Sequence, residues 1–389
     1  MRILYILDYG TVGGATHAFV DMVLQLKKNG VDPIVATGGI RSTFNDYLTS
    51  LEIENFSLGH YTALEQIKFH SIKWPLNLLR LITRYYINEY KSINKIKKYL
   101  LKNKIDLIHT NSARNSIGCK LSVKFGIPHI MHIREFADAD FGCVSILPNY
   151  IKKYQKGTHC FVAVSNAVKQ HWIKKGIMES AIHLVYDGVS YQNITISKDD
   201  DKKKKEIRMI IAGGVYPTKG QHLAVEAMRF LPDNIRNCIT IDIAGWGSPQ
   251  YIENMKQYAK KWGYEDNISF LGSINNVHER IGSYQIGLTC SKSEGFGLVT
   301  AEYMHGQLGV IASDSGACPE LIENGVCGQL FENGNAQDLA RCIERYYNDR
   351  DLLIRHSHEA RKKALCQYTD EINAQNIYKL YEEILNGNS

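Results

Sequence analysis

The stretch SKSEGFGLVTAEYM, residues 291–304, sets two glutamates, Glu294 and Glu302, eight positions apart around Gly295, Phe296 and Gly297. YQIGLTC just before it reads as a buried strand, and LVTAEYMHGQ just after it reads as a helix. Where a strand turns into a helix, the first backbone N–H groups have no partner inside the helix and form a cradle for an anionic oxygen. Here those groups run from about Gly297 through Leu298 to Val299. Glu302, on the first turns of the helix, is able to accept two hydrogen bonds from a vicinal diol, and Glu294 in the loop to address further hydroxyls. The alternative is a solvated loop followed by an ordinary helical glutamate.

Other strand-to-helix turns carry similar residues. DYGTVGGATHAF holds Gly10, Gly13 and Gly14 in a G-x-x-G-G spacing that allows close backbone approach but is not the G-x-G-x-x-G dinucleotide fingerprint. AGGVYPTKGQH places Gly213 and Gly214 at the end of a strand and Lys219 beside a helix start, where a lysine is able to neutralise a pyrophosphate; it is not a Walker A loop. A tight turn without ligand and a surface lysine are the competing readings of these two. AGWGSPQ carries no chemistry of its own, and DSGACPELI, with Pro319 at a helix N1 position, reads as mainly structural. In IMHIREF, His132 and Arg134 fall on one strand face, His132 reading as a core histidine.

These turns need a scaffold, and the chain supplies one twice. Apolar strands and helical segments alternate from residue 1 to about 190, as in RILYILDYG, DPIVATG, IDLIHTN and HCFVAVS. Strands that are apolar throughout, with helices between them, predict a parallel sheet covered on both faces. SYQNITISKDDDKKKKE is polar, charge-blocked and aperiodic, and reads as a linker. The alternation restarts at IRMIIAGG. The expected class is α/β, with a Rossmann-like domain over 1–190, a linker over 191–206, a second Rossmann-like domain over 207–370, and a helix over 371–389 that crosses back to the first. Ligands in such sheets sit at the carboxyl ends of the strands, so the two domains are expected to face each other across a cleft.

Composition narrows the class. Hydrophobic content of 44% and charged content of 22% describe an ordinary globular protein. The 9 cysteines are scattered without a C-x-x-C pair, which favours reduced thiols in a cytoplasmic protein over disulfides or zinc. MRILYILDYG opens directly on a strand, so no signal peptide is expected, and no run reaches the length of a membrane span. A net charge of +6 with no reader motif argues against nucleic acid. Residues 61–104 are basic and interleaved with aromatic and aliphatic side chains. They read either as a solvated helix face or as a peripheral contact with an anionic membrane surface, on the inner face of the cell membrane. Asp138 and Asp140 match D-x-D, a short pattern common by chance, and no metal is expected there.

Taken together, YGTVGGA, AVSNAV, YDGV, GGVYPTKGQ, ISFLG and CSKSEGFGLVTAEYMHGQLGVIASDSGACPELIENGVCGQLF resemble the retaining glycosyltransferases of family four, with their GT-B architecture. The resemblance covers residues 1 to about 385 and is most specific between 268 and 331. It implies an enzyme that moves a sugar from a nucleotide diphosphate donor, UDP- or GDP-linked, to the hydroxyl of a glycan or lipid-linked acceptor, with retention and without a cofactor or metal. It implies that Glu302 holds the ribose, Glu294 and the Gly295–Leu298 backbone the sugar and its phosphate, Lys219 the diphosphate, and Gly13 and Gly14 a closing loop. The base is implied near Gly272 to Ile274, and Gly213 ends the strand ahead of Lys219.

Two positions depart from that family. An arginine is common where this chain has Gly214, and a histidine where it has Arg134, followed by Glu135. Arg134 is therefore a candidate for the missing phosphate cation. A nucleotide-sugar epimerase or a phosphorylase on the same scaffold, or a non-catalytic sugar-binding subunit, are the competing functions.

Overall fold

A computed structural model describes residues 1–8, 14–39, 42–59, 62–66, 74–274 and 276–387. The chain divides into two compact units, Met1–Gly188 with Asp370–Ser389, and Val189–Thr369.

In the first unit the strands are β1 (Arg2–Ile6), β2 (Asp32–Gly38), β3 (Glu54–Leu58), β4 (Leu64–Gln66), β5 (Leu107–Thr110), β6 (His129–Ile133), β7 (Cys143–Ser145), β8 (Cys160–Ala163) and β9 (Ile182–Leu184). Seven of them form one parallel sheet in the order β3-β2-β1-β5-β6-β8-β9, and β4 and β7 make a small antiparallel pair. The central strands are buried along their length, as β5 and β6 show, because helices cover both faces and no alternation is required. The edge strand β3, ENFSL, is mostly half-exposed and correspondingly polar. The order reverses between β1 and β5, which opens a crevice at their carboxyl ends. The helix Asp370–Leu385 packs in this unit: Ala374, Ile377, Tyr381 and Ile384 share a core with Tyr5, Phe19 and Val23.

The second unit repeats the plan with β10 (Ile207–Ala212), β11 (Ile239–Ala244), β12 (Ile268–Gly272), β13 (Ile286–Thr289), β14 (Gly309–Ser313) and β15 (Gln329–Phe331). All are parallel, in the order β12-β11-β10-β13-β14-β15, with the reversal between β10 and β13. Gly287 in β13 has a packing reason: a Cβ there would stand 2.3 Å from the ring of Tyr303, which lies across the strand. The Tyr303 hydroxyl in turn accepts from the Ala212 amide, 2.7 Å away, at the end of β10.

The stretch 191–206, read from composition as a linker, packs on the second unit. Ile194 is buried, the Thr195 amide donates to the His278 carbonyl, and the Ser197 amide donates to the Gly306 carbonyl. Lys202 is buried with its amine on the Ser197 carbonyl at 2.7 Å, so a residue that composition places in solvent is a packing element.

The helix Trp74–Leu100 buries only Tyr85, Ser92 and Ile96. Leu76, Leu79 and Tyr90 are 70%, 61% and 72% exposed, an apolar surface interleaved with lysines and arginines. Among the described residues no helix is long and apolar enough to cross a membrane.

Candidate active site

In the second unit the chemistry collects where the strand order reverses. The turn after β10 bends at Gly213, with φ +127°, and runs through Pro217–Lys219 to Gly220. Gly220 combines φ +69° with a close approach, since a Cβ there would lie 2.0 Å from the Cys290 carbonyl oxygen. The two turns are also tied by the Lys292 amide, which donates to the Thr218 carbonyl at 2.9 Å. This seating brings the Lys219 amine to 2.6 Å from Glu294 Oε1. The Ser291 hydroxyl donates to the same oxygen at 2.6 Å.

The turn after β14 buttresses Glu294 from behind. The Ala317 amide donates to the Glu294 carbonyl at 2.9 Å, and Gly316, φ +55°, leaves no space for a Cβ, which would lie 2.3 Å from that carbonyl oxygen. Ser313 and Ser315 both donate to the Ser291 carbonyl. Glu294 thus stands on a turn held by two neighbouring strands.

Gly297, φ +94°, is the N-cap of the helix Leu298–His305. Its first amides have no acceptor within the helix and face outward from its start. Phe296 is buried with its ring edge-on to Tyr368 at 5.6 Å, which fixes the turn between Gly295 and Leu298. Glu302 lies 3.3 Å from His278 Nε2. Gly272, at the end of β12 with φ +65°, accepts from the Gly245 amide at 2.8 Å; it is exposed and Ile274 half-buried.

At Gly214, where an arginine is common, a Cβ would come within 3.1 Å of the Tyr216 ring, so a side chain there requires that ring to shift by a few tenths of an ångström. Tyr216 in turn meets Trp246 edge-on at 6.0 Å. Neither aromatic, nor Ser291, nor His278 follows from sequence spacing. Each becomes relevant only once neighbouring turns are brought together.

The first unit holds its polar groups at the ends of β1, β5 and β6. Arg134 donates from Nη1 to Asp187 at 2.7 Å and from Nε to Asn111 at 2.8 Å, with both members of the ion pair buried. Its Nη2 is buried without a hydrogen-bond partner among the described residues. Ser112 Oγ lies 2.7 Å from Asp8 Oδ2 and 2.6 Å from Glu135 Oε1. A hydroxyl has one hydrogen, so one of the two carboxyls must bring its own proton to complete both contacts. Burial, with the Asp8 charge beside it, pushes the Glu135 carboxyl up to about 7, in keeping with that count. His132 is buried and linked through His109 to Tyr381, at 3.3 and 2.6 Å. Burial and the charge on Arg134 hold its imidazole well below the usual histidine range, so it stays neutral. Asp138 is paired with Lys175 and His171, and Asp140 accepts from the Phe136 amide. Gly14 starts the helix Gly14–Lys28, whereas Gly13 lies outside the described residues.

Residues 12–193 match the family described as Glycosyltransferase Family 4, and residues 192–363 the family described as Glycosyl transferases group 1. The chain belongs to the family-four glycosyltransferases. The lipopolysaccharide core biosynthesis mannosyltransferase LpcC of Rhizobium leguminosarum bv. viciae is 29% identical to this glycosyltransferase over 180 residues, 45% of this chain and 51% of that protein. The match therefore spans about half the length of that relative. The uncharacterized glycosyltransferase MJ1178 of Methanocaldococcus jannaschii is 27% identical over 360 residues, 89% of this chain and 95% of that one. The solved structure of Anabaena HepE in complex with UDP is similar at a TM-score of 0.81 and 20% identity, covering 98% of this chain and 100% of that one. The glycosyltransferase has the GT-B fold, built from two Rossmann-like units.

Proposed function

We propose that this glycosyltransferase moves a hexosyl or N-acetylhexosaminyl group from a UDP- or GDP-linked sugar to an acceptor hydroxyl, with retention and without a metal ion. The observation that carries the reading is the pairing of Lys219 with Glu294 at the strand-order reversal, one turn ahead of the outward amides of the helix Leu298–His305. A cation, a carboxylate and a helix start so close together suit a diphosphate next to a polyol. HepE, of the same fold, has been solved with UDP, which supports a nucleotide donor.

In this reading the amides at 297–299 and Lys219 take up the charge that grows on the leaving diphosphate. Preorganised donors of that kind are worth about 3–4 kcal/mol each where one has been removed. Glu294 orients the sugar, Glu302 takes the ribose diol, and main chain from Gly272 to Ile274 reads the base. With no nucleophile assigned, the acceptor attacks from the face the diphosphate leaves, and a phosphate oxygen takes its proton. Arg134 is already neutralised by Asp187, and the hydrogens it has left for a phosphate are the two on Nη2 and the second on Nη1.

The acceptor we propose is lipid-linked or membrane-proximal, in assembly of a surface polysaccharide. The exposed apolar and basic face of Trp74–Leu100 supports this, since such a face suits an anionic bilayer surface. LpcC, by its name a lipopolysaccharide core enzyme, points the same way.

The experiment is a thermal-shift panel of UDP-, GDP-, CMP- and ADP-linked sugars, followed by donor turnover with and without acceptor. Stabilisation by one nucleotide class, with acceptor-dependent release of the diphosphate and an anomeric centre of unchanged configuration, is the expected result. A donor sugar isomerised in the absence of acceptor identifies an epimerase instead, and binding without any turnover identifies a non-catalytic subunit.

A further inference from the structure

Between the helices Ile117–Phe125 and Tyr150–Gly157 of the first unit lies a cavity of about 220 Å³, far roomier than a water needs. Four lysines line it: Lys120, Lys124, Lys153 and Lys156. Lys120 is paired with Glu89, but Lys124, Lys153 and Lys156 are exposed and make no ion pair with any described residue. No acidic residue lies nearby in sequence to offset them, since the chain has no Asp or Glu from 111 to 134 or from 141 to 178. Between the lysines the wall is apolar, with Val123 and Leu147. A lysine ring over an apolar floor suits an anion that carries a hydrocarbon, and compact ammonium groups are suited to phosphate.

The cavity adjoins the long helix Trp74–Leu100. The Tyr85 hydroxyl is 2.7 Å from Ser116 Oγ on the cavity wall, and Lys120 stands over the rings of Tyr85 and Tyr86 at 5.0 and 5.8 Å. Tyr86 and Tyr90 of that helix are 50% and 72% exposed. An apolar helix surface therefore runs up to a basic cavity with room for a phosphate and the groups attached to it.

We propose that this cavity takes the phosphate of an anionic phospholipid, its acyl chains lying along the exposed face of the long helix. The orientation of the chains rests on the reading of that helix as membrane-facing, whereas phosphate capture in the cavity does not. Capture of a discrete lipid at this point fixes the enzyme on the bilayer beside a lipid-linked acceptor, which diffuse attraction alone does not do.

The test uses the full chain and a triple variant, Lys124→Gln with Lys153→Gln and Lys156→Gln. A control variant, Lys203→Gln with Lys204→Gln and Lys205→Gln, removes equal charge from the second unit. A short-chain phosphatidic acid, kept below its micelle concentration, is expected to raise the Tm of the parent and the control but not of the cavity variant. Inorganic phosphate at equal concentration is expected to leave all three unmoved. In co-sedimentation with vesicles of phosphatidylglycerol in phosphatidylcholine, the cavity variant is expected to bind about a hundredfold more weakly than the parent, roughly fivefold per lysine. A donor-induced Tm rise retained in both variants shows that they are folded. No shift with phosphatidic acid, an equal shift in the cavity variant, or an equal shift with inorganic phosphate overturns the proposal. Soluble lipid binding without vesicle binding leaves the cavity standing and removes the membrane-facing reading of the helix.

Discussion

Lys219 and Glu294 come within 2.6 Å of each other from opposite sides of the strand-order reversal in the second unit. The pair is 75 residues apart in sequence and is made by two glycines: Gly220 lets its turn press against Cys290, and Gly316 lets the next turn press against Glu294. The lysine is thereby aimed before any ligand arrives. Its charge is partly spent on the carboxylate, so in the proposed reading a diphosphate competes with Glu294 for it.

Removing that amine is expected to act mainly on the chemical step. Lys219→Ala should lower kcat about 10²–10³-fold, the range for one lost oxyanion donor, with a smaller change in donor Kd. Steady-state kinetics alongside nucleotide titration separates the two. A variant that turns over donor like the parent removes Lys219 from the reaction.

Glu302 is expected to behave differently. If it holds a ribose diol, Glu302→Ala removes charged hydrogen bonds worth about 1.5–3 kcal/mol in total, a roughly tenfold to hundredfold loss of donor affinity. His278→Ala should cost less, because the imidazole steadies the carboxylate at 3.3 Å and touches no substrate in this reading. Isothermal titration with the nucleotide alone checks both, and unchanged affinity in Glu302→Ala removes the ribose assignment.

How far the sequence carries is seen in these same residues. The turns were legible because apolar runs stop at glycines, and a parallel sheet puts every such stop at one edge. Glu294, Glu302, Lys219 and Gly297 could thus be named from pattern. Their partners could not, since His278 meets Glu302, and Asp187 meets Arg134, only through tertiary packing. Gly214 shows the limit clearly: a missing arginine is visible in the sequence, but the close approach of the Tyr216 ring to that position is not. The stretch 191–206 misleads in the other direction, because charge blocks signal solvent while Lys202 is buried on a backbone carbonyl. The Gly10–Gly13 turn lies outside the described residues.

Stability is expected to pass through a maximum near pH 6.5. Burial drives His109 and His129 down to about 3, from an ordinary 6.5, so the unfolded chain binds more protons and stability rises with pH up to about 6.5. Burial pushes Glu135 and Asp370 up to about 7, so their contribution is complete below their ordinary values and lost as pH rises through about 7. Below about pH 6.5 these opposing effects overlap, with the neutral His132 adding to the histidine side. Above it the histidine contribution fades and the carboxyls dominate, and Tm should fall to about pH 7.5. Circular dichroism melts across this range check the shape, and Glu135→Gln should flatten the descending limb. A descending limb unchanged in that variant removes Glu135 as its source.

Gly220 offers a test of the seating itself, apart from the charges. Alanine there has two costs: a left-handed φ of +69° and a Cβ 2.0 Å from the Cys290 carbonyl oxygen. Forcing atoms into a packed site costs about 1–3 kcal/mol, and a left-handed non-glycine residue adds to it. The strain is relieved most readily by moving the Pro217–Lys219 turn away from β13, which withdraws the Lys219 amine from Glu294. Gly220→Ala should therefore lower Tm and reproduce much of the kcat loss of Lys219→Ala. In the double variant, Gly220→Ala should add little further loss of kcat, since the amine it displaces is already gone. Full additivity of the two effects on kcat would mean that the glycine acts elsewhere than through the lysine.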